Sequence, residues 1–255
     1  MANTRLAFTT FILTMIATVS AVDAAEIKGL FAGGIGVVTR ELTPMFERTS
    51  GHKVTVTYRV VGGIKDLLQR GETADVIIMP PRDLEDLQKQ GKVLVGTRVD
   101  IAKTGIGVAI RAGAPRPDVS SVEAFKRTLL AAKSFGYVDP AGGAAPSIPI
   151  ANMFERIGVA ADLKAKAKFV PNGRTLFEAI VKQEVEIGVY ILNQIVTTPG
   201  VELAGPLPPD LQFYMMYSAG IMPAAREPEL ARELIKFLSS PAALPIIRAK
   251  GMEPG

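Results

Sequence analysis

The sequence predicts an α/β fold of two lobes, each a mainly parallel sheet flanked by helices, joined by two crossing strands. Three observations carry that expectation. Short apolar runs of strand length alternate along the chain with amphipathic segments of helical period, the pattern of βα units rather than of hairpins or helical bundles. The 255 residues are enough to build two lobes with cores of their own. Two strand-like runs, near 104–111 and 212–222, bracket a central block whose composition matches its flanks. They place crossing segments near 104–106 and 216–220 and return the C-terminus to the first lobe. The lobes are then 25–104 with 219–255, and 105–218.

Residues 1–24 read as an export signal. A short basic start, MANTR, leads into the apolar LAFTTFILTMIATVSA, and VDAAEI supplies small residues for cleavage after Ala24 or Ala25. The apolar stretch is short for a membrane span, so the expected mature protein is exported, periplasmic and soluble. EIKGLFAG is the first strand. The helix after it places Val38, Leu42, Met45 and Phe46 on one face, and Pro44 is expected to bend or shorten it. KVTVTYRV alternates as a half-buried strand, and GGIKDLLQRGET reads as turn, helix and glycine stop. ADVIIMPP is a buried strand ended by Pro80 and Pro81, followed by a helix in RDLEDLQKQGKV that closes near Gly91.

TGIGVAIRAGAP is again a strand running into a proline-rich turn. SSVEAFKRTLLAAK opens with a capping-box pattern, Ser120 and Glu123. SFGYVDP is a strand, and AGGAAPSIPIANMFERIG is a loop feeding a helix with Pro146 or Pro149 in its first turn. KFVPNGRTLFEAIVKQEVEIGVYIL gives strand, turn, helix and strand. LQFYMMYSAGIMPA is a long strand, and EPELARELIKFLSSPAALPIIRAKG is two helices broken at Ser239, Ser240 and Pro241.

Composition removes several kinds of chemistry. Cysteine is absent, which excludes disulfides, thiolate metal sites and cysteine nucleophiles. The single histidine, His52, sits in a turn, and one histidine builds no metal cluster. Tryptophan is absent and aromatics make up 6% of the chain, too few to form a stacking platform for nucleic acid. The net charge of +4 is spread over the chain and gives only a weak general attraction for anions. No GxSxG elbow, Walker-type loop or HExxH helix occurs, so no catalytic residue, cofactor or metal is expected. Asp75 and Asp139 stand at strand ends, where Asp139 orders its turn before Pro140. What remains is a set of four loops, each following a strand and opening a helix: Ala32–Gly36, Val60–Ile64, Pro140–Ser147 and Asn172–Thr175. Each presents unpaired N–H groups and the positive end of a helix dipole. Several together on an exported chain point to an anion-binding cleft.

In LFAGGIGVVTRELTPMFERTSGHKVTVTY, GGIKDLLQRGETADVIIMPPRDLEDLQKQGKV and EIGVYILNQIVTTPGVELAGPLPPDLQ, and in the closing ARELIKFLSSPAALPIIRAKGMEP, the chain resembles the periplasmic solute-binding proteins of ABC transporters. It is similar in particular to the molybdate-binding branch, with its two-lobed type II fold. The resemblance covers about residues 26–255. It implies a tetrahedral oxyanion held by backbone N–H groups, two serines and usually a tyrosine. By position the first serine falls on Gly34 and the second among Val60, Val61 and Gly62, so neither hydroxyl is present. The tyrosine falls at or next to Tyr190. Losing two charge-assisted hydrogen bonds, at about 1.5–3 kcal/mol each, would weaken molybdate by orders of magnitude.

The expected ligand-binding set is therefore Gly33, Gly34, Arg59, Val61, Gly62, Ser147 and Tyr190, with Ser147 offering a hydroxyl from the second lobe and Arg59 a guanidinium suited to a carboxylate. Arg174 is a weaker candidate of the same kind. The expected function is capture of a small, molybdate-like anion between the lobes, without cofactor, and its delivery to an ABC permease in the inner membrane. The binding protein is expected to be monomeric and to bind no nucleic acid. A small organic acid or other solute is the rival ligand, and an enzyme on the same fold is the rival of another class.

Overall fold

The computed structural model describes residues 24–142 and 146–255; the export signal expected over 1–24 lies, but for Ala24, outside them. The first lobe begins with β1 (Glu26–Ala32), a single 3-10 turn (Gly33–Ile35) and α1 (Gly36–Ser50). It continues through β2 (Lys53–Arg59), α2 (Val61–Gln69), β3 (Val76–Met79), α3 (Pro81–Lys89) and β4 (Val99–Thr104). The second lobe holds β5 (Ile106–Arg111), α4 (Val122–Ala131), β6 (Phe135–Val138), α5 (Ser147–Arg156), α6 (Ala160–Lys164), β7 (Ala167–Val170), α7 (Gly173–Val181), β8 (Ile187–Ile191), α8 (Leu192–Thr197) and β9 (Val201–Pro206). The chain then returns through β10 (Met215–Ile221), α9 (Pro228–Leu238), α10 (Leu244–Ala249) and the short β11 (Glu253–Pro254).

The strand order is β11-β4-β10-β3-β1-β2 in one sheet and β7-β6-β8-β5-β9 in the other. Helices cover both faces, so the central strands are apolar throughout: every residue of β3 and of β8 is buried. The sheets are mixed rather than mainly parallel. The βα units pair in parallel, β1 with β2 and β3, and β6 with β7 and β8. The crossing strands come from the other lobe and join antiparallel, β10 with β3 and β4, and β5 with β8 and β9.

The first crossing is at Gly105, between β4 and β5. The second runs over 207–214, upstream of the expected 216–220, because Pro208 and Pro209 have no N–H with which to extend β9. Met215–Ser218, expected in the second lobe, pair within the first sheet. The two crossings are tied to each other. The Gln212 side chain accepts from Ile106 N (2.8 Å) and donates to Ile106 O (3.0 Å).

Two local expectations are corrected. Helix α1 is not shortened at Pro44 and continues to Ser50. Pro44 and Arg40, whose carbonyl the proline leaves without a partner, are both on the exposed face, where water can satisfy it. Helix α4 is capped by Ser121, which accepts from Ala124 N at 3.1 Å, one residue later than the expected capping box. Among the described residues no helix is long and apolar enough to cross a membrane.

Asp75 proves structural. It is 3% exposed, and its carboxylate accepts from Lys28 N at 2.7 Å and Arg226 N at 2.6 Å, fastening β1 to the segment that opens α9. Asp75→Ala removes both bonds at a buried junction and should cost roughly 3 kcal/mol. That loss should lower the midpoint of thermal unfolding by about 10 °C. A melt indistinguishable from wild type would show that the carboxylate does not hold this junction.

Candidate functional site

Strand register brings the four loops together. β1 and β2 end in step, Ala32 opposite Arg59, so the Gly33–Ile35 turn and the start of α2 emerge side by side. In the other sheet Val138 stands opposite Val170, which sets the loop before α5 beside the start of α7. A cavity of about 180 Å³ lies between these ends. Its walls are Ala32–Gly34, Val60 and Val61, Pro146 and Asn172–Arg174, so each of the four loops contributes. Tyr190 and Ile191 from β8, Gln194 from α8 and Tyr217 from β10 complete it. The site lies at the carboxyl ends of parallel strands beside the points where strand order reverses, where α/β sheets characteristically bind ligands.

The electrostatics favour an anion. Neither the Gly33–Ile35 turn nor α2 has a side-chain cap, so the first N–H groups of each are left to a ligand. No carboxylate lines the cavity among the described residues, and Arg174 supplies one cation. The Arg174 side chain makes no hydrogen bond or ion pair within the described residues.

Two phenols face two glycines across this cavity. A Cβ on Gly34 would lie inside the Tyr217 hydroxyl and 2.6 Å from its Cζ, and a Cβ on Gly173 would overlap the Tyr190 ring edge. The missing side chains are thus what admit the two rings. Tyr217 is 2% exposed, and its hydroxyl has no hydrogen-bond partner among the described residues. Burial raises its pKa strongly, and the neighbouring Tyr190 adds to the shift. Tyr190 is pushed up to about 12 by burial, partly offset by a hydrogen bond from the Gly173 N–H. Both are therefore neutral O–H groups throughout the physiological range, able to donate to an anion.

Helix α8 locks the first turn from the opposite lobe. Asn193 Nδ2 donates to Gly34 O at 2.7 Å and Gln194 Nε2 to Gly33 O at 3.3 Å. Because the peptide unit is planar, these bonds also fix the planes that carry the Gly34 and Ile35 N–H groups. Asn193 is fully buried, and its Oδ1 has no hydrogen-bond partner among the described residues, at a cost on the order of 1–3 kcal/mol. Its backbone N bonds Thr104 Oγ1 beside the first crossing.

Of the expected ligand set, Gly33, Gly34, Val61 and Tyr190 line the cavity. Arg59, Gly62 and Ser147 do not. Arg59 is exposed, and its Nη1 turns back to its neighbour's carbonyl, Tyr58 O, at 2.8 Å. Helix α2 begins at Val61, and one residue of helical rotation turns Gly62 off the wall. Ser147 is fully buried at the head of α5, with Pro146 on the wall in its place. Tyr217 and Gln194 escaped sequence reasoning, while Asn172 was read there only as the start of a binding loop. Asn172 was findable as a helix cap, since its side chain accepts from Thr175 N. Tyr217 carried no local signal, being one aromatic in an apolar strand.

The family model for bacterial extracellular solute-binding proteins matches residues 27–253. An aconitate isomerase from a Pseudomonas species is 31% identical over 254 residues, covering 98% of this chain and 95% of that protein. The molybdate-binding protein ModA of Azotobacter vinelandii is 24% identical over 241 residues, 91% of each. The solved structure of the periplasmic molybdate-binding protein of Azotobacter vinelandii has a TM-score of 0.75 at 18% identity, covering 90% of this chain and 99% of that one; at that identity the likeness establishes the fold.

The fit of Gly34 to Tyr217 yields a direct test. Gly34→Ser would force a Cβ into a ring that is too deeply buried to swing aside, an overpacking cost of about 1–3 kcal/mol. Urea unfolding should show that loss, and an unchanged midpoint would mean the ring moves freely.

Proposed function

The chain belongs to the family of bacterial extracellular solute-binding proteins, and we propose that it captures a small carboxylate anion in the cavity between its lobes and delivers it to an ABC permease. One observation carries the choice of ligand: the Tyr217 hydroxyl occupies the space that a side chain at residue 34 would fill. The family position read as a serine in molybdate binders is here a glycine opposed by a phenol. The donors then come from the first N–H groups of the Gly33–Ile35 turn and α2, from Tyr217 and Tyr190, and from Arg174 at the edge. A guanidinium matches the planar, two-oxygen face of a carboxylate better than it matches a tetrahedron of oxygens. The sequence relationship points the same way, since the relative at 31% identity is named for an organic tricarboxylate and the molybdate binder stands at 24%.

In this reading the protein works in the periplasm as a monomer. Closure turns on Gly105 and residues 207–214, the segments where the chain passes between lobes, and the bonds from Asn193 and Gln194 to Gly34 and Gly33 form as the lobes meet. Ligand is held without covalent chemistry.

A second reading, isomerisation of a bound unsaturated tricarboxylate, is favoured by the printed name of the Pseudomonas relative. Against it, the described cavity wall carries no carboxylate or imidazole to take up a proton, and its two phenols are held neutral. Proton NMR of cis-aconitate incubated with the protein separates the two: an unchanged spectrum supports binding alone, and appearance of the trans isomer establishes catalysis.

Calorimetric titration with molybdate, sulfate and small carboxylates tests the main reading, which expects the carboxylates to bind more tightly. Tyr217→Phe should weaken carboxylate binding by roughly 10- to 100-fold, the value of one hydrogen bond to a charged group, while leaving thermal stability unchanged because that hydroxyl has no internal partner. Wild-type affinity should be level from about pH 6 to 9, since phenols with raised pKa values keep their protons there. Molybdate as the tightest ligand, or full affinity in Tyr217→Phe, would contradict the proposal.

A further inference from the structure

Beside the cavity, and sharing Arg174 and Gln194 with it, runs a groove of about 590 Å³ between α1 of the first lobe and α7 and α8 of the second. Arg40 and Lys182 add two more cations to Arg174, against the single carboxylate of Glu178. None of the three cationic side chains makes a hydrogen bond or ion pair among the described residues. Arg40 instead lays its guanidinium over the Tyr58 ring, 3.9 Å from the centroid. Stacking engages the face of the guanidinium and leaves its N–H edge available to a planar anion. The rest of the lining includes Val37, Phe177 and Val181, an apolar surface for a hydrocarbon skeleton.

The inner cavity has a volume of about 180 Å³. Ligand sites for larger small molecules run from about 300 to 1,000 Å³, a range reached only when the groove is included.

We propose that the groove is a second anionic subsite, so that the ligand is a di- or tricarboxylic acid with one carboxylate in the cavity and another drawn toward Arg40 and Lys182. The inference rests on the carboxylate-binding reading above and specifies the ligand within it. Arg174, shared by both spaces, stands at the junction and is placed to contact either carboxylate. The groove also draws its cations from both lobes, Arg40 from one and Lys182 from the other, so a bridging ligand favours their approach.

The test uses the mature protein with three probes: acetate, glutarate and propane-1,2,3-tricarboxylate. Glutarate and the tricarboxylate are titrated calorimetrically, and acetate is followed by thermal shift at millimolar concentration. Wild type should bind the two longer acids at least about tenfold more tightly than acetate. Arg40→Gln and Lys182→Gln, both at exposed positions, should each weaken the longer acids by roughly three- to tenfold and leave the acetate response unaltered. Equal affinity for acetate and the tricarboxylate, or wild-type affinity for the longer acids in both variants, overturns the second subsite while leaving the carboxylate reading intact. Failure of all three acids to bind the folded protein overturns the carboxylate reading, and the subsite with it.

Discussion

The arrangement of this site depends on the absence of two side chains. Gly34 and Gly173 lie in the first turns of helical segments on opposite sides of the cleft, and each stands where a Cβ would collide with a tyrosine from a strand, Tyr217 or Tyr190. Neither glycine needs its freedom for an unusual backbone angle; what each provides is space. Because the rings fill that space, the hydroxyls reach the cavity from the core side rather than from the loops. Burial then keeps the phenols protonated, so the donors add no charge of their own. A serine on a loop can turn and make alternative bonds, whereas a phenol in a packed core has few rotamers and little freedom. The site is preorganised by packing, the cheaper way to hold an anion once the lobes have closed.

That preorganisation depends in turn on how the two sheets are joined. Parallel registers end β1 with β2 and β6 with β7 in step, which gathers four loops at one level. The crossing strands carry the lobes' relation to each other, and Gln212 binds one crossing to the other through both polar groups of Ile106. From the far lobe, α8 reaches across to the carbonyls of Gly33 and Gly34. The same short turn therefore makes room for the phenol, presents backbone donors and receives the interlobe hydrogen bonds. Few residues carry many roles, and the cost is visible in the buried Asn193 Oδ1, which has no hydrogen-bond partner among the described residues.

Much of this was legible in the sequence. Alternating strands and helices, the four loops, Asn172–Thr175 among them, and the break at Ser239–Pro241 are local signals, and local signals survive tertiary packing. Loop position together with the family resemblance put Gly33, Gly34 and Val61 in the expected set, and all three line the cavity. Long-range facts were not legible. Tyr217 meets Gly34 only because β10 returns to the first sheet, and nothing near MMYSAGI indicates that pairing. Arg59 suggested a carboxylate partner by its chemistry, yet its guanidinium turns to the carbonyl of the preceding residue. Pro44 suggested a bent or shortened helix, but the carbonyl it frees belongs to the solvent side and the helix keeps its full length. Ser147 and Gly62 share one circumstance: a residue can belong to a loop beside the cavity and still lie off its wall, since rotation along a helix is decided by where the helix starts.

A crystal structure of the protein with glutarate bound tests the account most directly. It should place one carboxylate in the inner cavity, with an oxygen about 2.5–3.0 Å from Tyr217 Oη and within reach of the first N–H groups of the Gly33–Ile35 turn. Glutarate bound elsewhere, or a cavity anion that leaves Tyr217 Oη without contact, would contradict it.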